Sequence, residues 1–444
     1  MMAALVLLAF SALASGQALR GSYFFETSLM RSKLNPAFAP QNNYVSIPIL
    51  GNIGVDAYSN VGLGNFIFPT SGTGLTFMNG LVPADTFLNK LPSKDPFLKE
   101  RLETDVLGAG FRLGEGGFMT VALSVVENAD VVIPNELLRF AKLGRTADVH
   151  SYNISGLGAT VGSYAQLSIG YSFDMDGFVE GLSFGGRVKL LAGLAAADVN
   201  LSKLNVQMED DKFAVSTAGE GYLAGFTYSE TDGFGARKVG FNGFGAAIDL
   251  GVEYRLELES FLDGLNFSAS VTDLGFLGFN SNVTRLTSSG TAQFTGFQGI
   301  DANYDFQKNF ENVLNDFKNL ADFKASSADK YRYKLQPSIY AGVEAPFLDE
   351  MMSVGLLYYY TKGFSNVMAS YNLSPIRWFN LGVNYTFLGP ARTFGLYLEF
   401  IPKKVVGLFA GVNLATFKTN SAGIGIKNMT ESACLGLNVV FGGE

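Results

Sequence analysis

Cysteine, histidine and tryptophan are nearly absent from the 444-residue sequence, which holds one of each. The single cysteine, Cys434, excludes an intramolecular disulfide and a zinc-type cluster, and its position far from the N-terminus argues against N-terminal lipidation. The single histidine, His150, falls in a predicted loop, where it completes neither a metal centre nor a serine triad. We therefore expect no metal, no cofactor and no enzymatic activity.

Basic tracts and long apolar runs are also missing. The net charge is −8 without any cluster of Lys or Arg, which argues against nucleic acid as a partner. After residue 17 no uncharged apolar run approaches the roughly 20 residues that a membrane-spanning helix needs. Because 48% of the residues are nevertheless hydrophobic, the composition favours a transmembrane β-barrel in outer-membrane lipid. The abundant tyrosines and phenylalanines fit interfacial belts, with Trp378 and Tyr358 to Tyr360 as candidates.

Residues 1–16 predict a secretory signal peptide. They are rich in Ala, Leu and Val, and the small residues Ala12, Ala14 and Gly16 precede a cleavage point near Gln17. The basic leading region of such signals is missing, since the first basic residue is Arg20, and we expect the true start of translation further upstream. The alternative is a buried N-terminal helix.

Alternating apolar and polar residues are the strongest pattern in the chain. Between Thr393 and Phe400 every second residue is apolar, and its neighbours are small, polar or charged apart from Tyr397. Successive side chains of a strand point to opposite faces, so one face meets an apolar medium and the other a polar one. The stretches are about ten residues long, which suits a tilted strand crossing a bilayer better than a soluble strand of about five or six residues.

The alternation predicts an all-β, antiparallel, up-and-down transmembrane barrel of about fourteen strands, within a range of about 12 to 16. The strands are predicted near residues 44–59, 104–113, 117–127, 159–173, 182–195, 240–259, 264–275, 335–346, 351–361, 365–374, 378–388, 392–401, 404–416 and 431–441. Connections after even strands are short and the long ones all follow odd strands, as expected when short turns face the periplasm and long loops face outward.

Four long outer loops are predicted near 60–103, 128–158, 196–239 and 276–334, inside a barrel domain of 44–444. Apolar residues recur at helical spacing in 306–323, which predicts an amphipathic helix that either packs on the barrel rim or forms a lid or partner-docking surface. A short helix is predicted between Pro134 and Gly144, and another in 84–104. Residues 202–217 predict an extra hairpin above the membrane.

Charged residues are predicted on the polar face of two adjacent strands: Arg187 and Lys189 on the fifth, and Asp249, Glu253 and Arg255 on the sixth. They form either a lumenal ladder that orients a ligand headgroup or a plug, or a set of pairs across a wet interior.

Residues 17–43 precede the first strand and contain Asn35, Pro36, Ala37 and Phe38. This segment resembles that of the fatty-acid-transporter (FadL) class of outer-membrane barrels and of the related PorV-like secretion accessory barrels. Members of these families have fourteen strands and an N-terminal segment, often with an Asn-Pro-Ala tripeptide, folded inside the barrel. Three stretches also resemble a Bacteroidota barrel family known only as a domain of unknown function: Leu19 to Ser28, Asn35 to Pro40, and Ile47, Pro48, Leu50, Gly51 and Asn52.

The resemblance implies a lumen plugged by residues 17–43, with Asn35 to Phe38 as plug or ligand gate; the alternative is an ordinary periplasmic turn. It implies passive transport of a hydrophobic or amphipathic small molecule through a plugged lumen or a lateral gap. The alternatives are a non-transporting, PorV-like barrel that holds a surface or secreted partner through its outer loops, and a general porin. An apolar pocket at Asn35 to Phe38 would favour transport, and a dry lumen with an apolar patch on the outer loops would favour a scaffold.

Overall fold

The computed structural model describes residues 18–69, 74–114, 116–208, 213–229, 233–236, 240–256, 263–294, 323–348, 350–376, 378–402, 405–414 and 430–442. They form a closed antiparallel barrel of 14 strands, as the alternation predicts. The strands are β1 (Asn43–Ser46, continued by Ile53–Ser59), β2 (Phe97–Arg112), β3 (Gly117–Val132), β4 (Leu157–Asp174), β5 (Leu182–Met208), β6 (Gly243–Arg255), β7 (Asn266–Phe279), β8 (Ser338–Phe347), β9 (Met352–Thr361), β10 (Phe364–Ile376), β11 (Phe379–Leu388), β12 (Thr393–Phe400), β13 (Val406–Leu414) and β14 (Thr430–Phe441).

The barrel closes where β1 pairs with β14, with Tyr44 opposite Val440 and Ile53 opposite Leu435. The sequence predicts one continuous strand here, but residues 47–52 interrupt β1. Ile49 has a φ of 67°, which turns the backbone out of the extended conformation. Backbone hydrogen bonds still join the interruption to both neighbours, from Ile49 N to Val106 O at 3.3 Å and from Leu437 N to Leu50 O at 2.8 Å. The wall is therefore closed at this point.

Side chains alternate between the lumen and the outer face as the sequence predicts. On β12, Phe394, Leu398 and Phe400 are about 40% exposed on the outside, whereas Tyr397 and Glu399 are buried inside. An exposed apolar outer face with a polar interior is what a bilayer around the barrel requires. Among the belt candidates, Trp378 packs edge-to-face on Phe400 at 5.2 Å and Tyr358 faces outward, but Tyr359 is buried in the lumen.

Outer strand ends extend further than the alternation indicates. β2 begins at Phe97 and β3 ends at Val132, because the two strands continue to pair, with Phe97 opposite Val132. β5 runs on to Met208 and pairs with an added strand, Phe213–Ala224, which forms the extra hairpin predicted in 202–217. Parts of the segments predicted as outer loops are therefore strands. The further outer strands are Ile67–Pro69, Gly74–Thr76, Ser151–Ile154, Phe226–Ser229, Gly233–Ala236, Val283–Phe294, Lys324–Ala328 and Tyr331–Lys334.

Above the barrel the outer strands and one helix share an apolar core. The helix Asn135–Leu143, predicted between Pro134 and Gly144, presents Leu137 and Phe140 to this core. The other short helices are Leu63–Phe66, Ala84–Leu88 and the 3-10 turns Ala18–Ser22 and Arg31–Lys33. The core residues of the outer sheet are Ile154, Leu201, Leu204, Val206, Val215, Leu223 and Leu286.

In the part of the chain that the structure describes, no helix is long and apolar enough to span a membrane. The predicted signal peptide, residues 1–16, and the predicted helix in 306–323, apart from Phe323, lie outside the described residues.

Candidate functional site

The N-terminal segment, residues 18–42, lies inside the barrel. It contacts inward-facing groups on strands from different sides of the barrel. Ser270 Oγ of β7 donates to Leu34 O at 2.6 Å, and Leu29 N donates to Oε1 of Glu399 on β12 at 3.4 Å. Tyr23, fully buried, pairs with the Ser268 hydroxyl at 3.1 Å. Most of the segment is buried, so its contacts with the wall determine what space remains in the lumen.

Asn35 holds the tripeptide turn together. Its Oδ1 accepts a hydrogen bond from Ala37 N at 3.0 Å, a local side-chain to backbone bond typical of Asn before a turn. Its Nδ2 donates to Val252 O on β6 at 3.1 Å, which ties the turn to the wall. Phe38 is buried edge-to-face against Tyr23 at 5.0 Å, and the Arg31 guanidinium lies 4.2 Å from the Phe38 ring.

Two wall glycines allow the turn to approach the strands. A Cβ at Gly185 on β5 would overlap the Pro36 carbonyl and Ala37 N, and one at Gly251 on β6 would overlap the Asn35 side chain. Glycine in a strand interior often marks such a close approach of another backbone. Asn35, Pro36 and Ala37 are thus in contact with β5 and β6.

The predicted lumenal charges divide into two groups. Within the wall, Asp249 pairs with Arg187 at 3.3 Å and with Lys189 at 2.8 Å, and Lys189 also pairs with Asp273 at 2.6 Å. Arg187 also donates to the Ser32 carbonyl of the N-terminal segment at 2.8 Å.

The other two charges contact the N-terminal segment directly. Glu253 lies 3.5 Å from Arg31, and Arg255 bridges Glu26 of the segment and Glu350 of a periplasmic turn, at 2.9 Å each. Some of the five charges therefore pair within the wall, and others pair with the N-terminal segment.

Sequence reasoning missed the ion pairs of Lys33. Lys33 Nζ lies 2.6 Å from Glu103 Oε1 and 2.7 Å from Asp105 Oδ1 on β2. Burial acts to lower the pKa of Lys33, but Asp105 and Glu103 outweigh it and raise the pKa above its usual value. A signal was present, since Lys99, Arg101, Glu103 and Asp105 recur at every second position, the period of a strand.

Arg20 joins the N-terminal segment to two further strands of the wall, β1 and β9. Its guanidinium lies 3.8 Å from the Tyr359 ring of β9 and 5.9 Å from the Tyr58 ring of β1, and it donates to the Tyr58 hydroxyl. Burial lowers the pKa of Arg20, but the neighbouring tyrosines and Asp56 raise it by more, so the side chain stays charged. No pattern in the sequence indicated this contact, because it joins elements distant in the chain.

Two cavities lie beside the segment, and charged groups contribute to the lining of both. A cavity of about 120 Å³ lies among charged groups of the segment and of β1, β2, β5 and β7, including Arg20, Lys33, Asp56, Arg101 and Asp273. A second cavity, of about 550 Å³, lies at the periplasmic end beside Glu26, Arg255 and Glu344. Among the described residues no group of His, Cys, Asp and Glu is arranged to hold a metal ion.

Solved structures that resemble this fold are outer-membrane channels, at low identity. A TodX monoaromatic hydrocarbon channel mutant is 11% identical over 93% of this chain and 94% of its own, with a TM-score of 0.45. The toluene transporter TbuX of Ralstonia pickettii is 9% identical over 92% of each chain, with a TM-score of 0.39. A FadL homologue of Pseudomonas aeruginosa is 10% identical over 96% of each chain, with a TM-score of 0.43.

A comparison with curated proteins finds no match. The closed barrel and its apolar outer face make the chain a β-barrel of the bacterial outer membrane. The model of a family of unknown function, DUF5723, matches residues 36–413, and the chain belongs to that family.

Proposed function

We propose that this barrel is a passive transporter of hydrophobic or amphipathic small molecules and that its N-terminal segment is the gate. The observation that carries the proposal is an apolar cluster shared by the segment and the wall. Tyr23, Phe24 and Phe38 of the segment pack on Tyr340 and Leu357, which face the lumen. These rings occupy the volume that a hydrophobic solute would need, so movement of the segment would expose an aromatic-lined passage.

The ion pairs of the segment suit a movable gate. A buried salt bridge adds little net stability, because desolvation of both charges offsets much of their attraction. If the segment moves, water in the lumen can hydrate Glu253 and Arg31. A segment held only by apolar contacts would instead expose apolar surface to water when it moved. The polar groups thus set one closed position without fixing it permanently.

The test is uptake of an apolar fluorescent probe into proteoliposomes, together with native mass spectrometry and lipid extraction of the purified barrel. Phe38→Ala removes a ring from the gate and leaves its ion pairs in place, so we expect faster uptake than in the wild type. The matched control is Phe178→Ala, because Phe178 is 87% exposed in a periplasmic turn. Equal uptake in wild type, Phe38→Ala and protein-free vesicles, with no bound apolar compound, would contradict the proposal.

A PorV-like scaffold is the second candidate, and the outer sheet favours it. The strand Phe213–Ala224 pairs with both the outer part of β5 and Val283–Phe294, which gives a structured surface above the membrane. A surface protein that cross-links to this sheet, with no probe uptake through the barrel, would favour the scaffold. An open porin is the weakest alternative, since the N-terminal segment occupies the lumen.

A further inference from the structure

The contact of Arg20 has the chemistry of a ligand site. The guanidinium lies between aromatic faces of opposite walls, 3.8 Å from the Tyr359 ring and 5.9 Å from the Tyr58 ring, with Tyr340 beside Tyr359. Asp56, on the same strand as Tyr58, attracts it electrostatically. We call Asp56, Tyr58, Tyr340 and Tyr359 the cation box. Aromatic faces with a carboxylate bind organic cations in many proteins.

The cation box belongs to the wall, and its occupant belongs to the movable segment. All four side chains of the box are at least 94% buried and lie on β1, β8 and β9, whereas Arg20 precedes the barrel domain in the chain. Two of the guanidinium nitrogens, Nε and Nη1, are buried without a hydrogen-bond partner in the protein. Arg20 therefore fills the box without satisfying all of its own donors, which lowers the cost of replacing it.

The surroundings of the box favour a cation when Arg20 leaves. A second cation, Lys362, lies near the box, with its Nζ 5.9 Å from the centre of the Tyr58 ring. The carboxylates of Asp56, Asp130 and Glu100 attract Lys362 electrostatically. When Arg20 leaves, the carboxylate of Asp56 and the faces of Tyr58, Tyr340 and Tyr359 remain in the box. The adjoining cavity of about 120 Å³, lined by Arg20, Asp56 and Tyr340, gives space for the substituent of an entering cation.

We propose that the cation box is a binding site for organic cations, and that a guanidinium or alkylammonium group of an amphipathic solute displaces Arg20 and so releases the N-terminal segment. The inference rests on the proposed function for its transport consequence, because it names the chemical class of solute that opens the gate. The binding site itself is testable without transport.

The test is direct binding of ethylguanidinium to the full-length barrel in detergent, measured by isothermal titration calorimetry. Arg20→Ala vacates the box, and we expect it to bind ethylguanidinium at least about ten-fold more tightly than the wild type, where Arg20 competes. N-ethylurea, which has a similar shape without the charge, is the ligand control and should not bind. Arg20→Ala combined with Asp56→Asn removes the carboxylate and should lose the gain.

The heat-dependent mobility shift of the barrel on gels checks that each variant is folded. Tyr359→Leu in the Arg20→Ala background is a second variant, and it weakens the box without changing Asp56. Equal affinity of wild type and Arg20→Ala, or equal binding of ethylurea, would overturn the cation box. Binding that behaves as expected, with no probe uptake on addition of ethylguanidinium, would retain the box and count against the transport proposal. The two failures are therefore distinguishable.

Discussion

Lys33 of the N-terminal segment donates to two carboxylates of one strand, Glu103 at 2.6 Å and Asp105 at 2.7 Å. The two acceptors are two residues apart on β2 and so share its inward face. Asp105 also accepts from Ser124 of β3 at 2.7 Å, and Glu103 from Arg101 at 2.9 Å. The lysine is thus joined to a network that already belongs to the wall, and its loss removes the cation beside Asp105 and leaves Glu103 with Arg101.

Lys33→Ala is expected to destabilise the barrel by about 3–5 kcal/mol, because it removes the cation that lies 2.7 Å from the buried Asp105 carboxylate. Guanidinium unfolding followed by the fluorescence of Trp378, the only tryptophan, measures this change. The control is Arg285→Gln in the outer sheet, whose pair with Glu220 is exposed at 47% and 61% and should contribute about 0–1 kcal/mol. Equal effects of the two substitutions would show that Lys33 is not an anchor.

Asp249→Asn tests the charges held within the wall. The side chain is fully buried, accepts from Asp273 N at 2.8 Å, and compensates Arg187 and Lys189. Asparagine keeps the shape and loses the charge, so we expect a loss of about 3–5 kcal/mol in unfolding free energy.

Arg255→Gln is the comparison for Asp249→Asn, with an expected loss of about 0–1 kcal/mol because Arg255 and its partners Glu26 and Glu350 are 31%, 32% and 62% exposed. Unfolding of both variants in guanidinium gives the difference. A larger loss for Arg255→Gln would mean that the periplasmic contact, not the wall network, carries the stability.

The barrel and its inward charges were predictable because the physics that determines them is local. A strand in a bilayer must place one side chain in lipid and the next in the lumen, so the sequence around Asp249 or Glu399 shows the face of each residue. The positions of Arg187, Lys189 and Asp249 on one inner surface follow from this period and from the antiparallel pairing of β5 and β6, with Asp249 opposite Arg187.

Other parts of the site depend on contacts that no local period encodes. Asp273 has a φ of 60° at a bulge in β7, which turns it inward beside Thr272 and breaks the alternation. Arg101 and Glu103 fell in a predicted loop because three consecutive charged residues, 99–101, interrupt the alternation of apolar and polar side chains. The pairing of Arg20 with Tyr359 depends on how the segment folds inside the lumen, which the alternation of the strands does not determine.

Lys362 should make stability depend on pH. It lies at a φ of 51° in the two-residue turn between β9 and β10, and burial lowers its pKa from 10.5 to about 8 despite the opposing effect of Asp56 and Asp130. Between pH 8 and 10.5 the unfolded chain binds more protons at this site than the folded one, so stability rises with pH by up to about 1.4 kcal/mol per pH unit.

Lys362→Asn removes the amine and suits the left-handed conformation, which Asn adopts readily in such turns. Unfolding in guanidinium at pH 7.5, 8.5 and 9.5 should show the wild type gaining stability relative to Lys362→Asn as the pH rises. The raised pKa of Lys33 acts only above its usual value of 10.5 and does not interfere in this range. A constant difference between the two proteins would contradict the shifted pKa.

Gly185 and Gly186 are adjacent residues of β5 that face opposite sides of the wall, which makes them a matched pair. A Cβ at Gly185 would overlap the backbone of Pro36 and Ala37, whereas at Gly186 its nearest neighbour is the Asp249 carbonyl oxygen, at an ordinary 3.9 Å. Both substitutions place the same methyl group in the same strand, so they differ in contact with the N-terminal segment and in little else.

Gly185→Ala is therefore expected to displace the Asn35 to Phe38 turn, at a cost of about 1–3 kcal/mol from overpacking, and to speed uptake of the apolar probe. Gly186→Ala should leave uptake unchanged and alter stability by less than about 1 kcal/mol. Limited proteolysis from the periplasmic side should cleave the segment faster only in Gly185→Ala. A destabilised Gly185→Ala without faster uptake would show that the turn fills the lumen as structure, and the gate would then have to lie elsewhere along the segment, with Arg20 the first place to look.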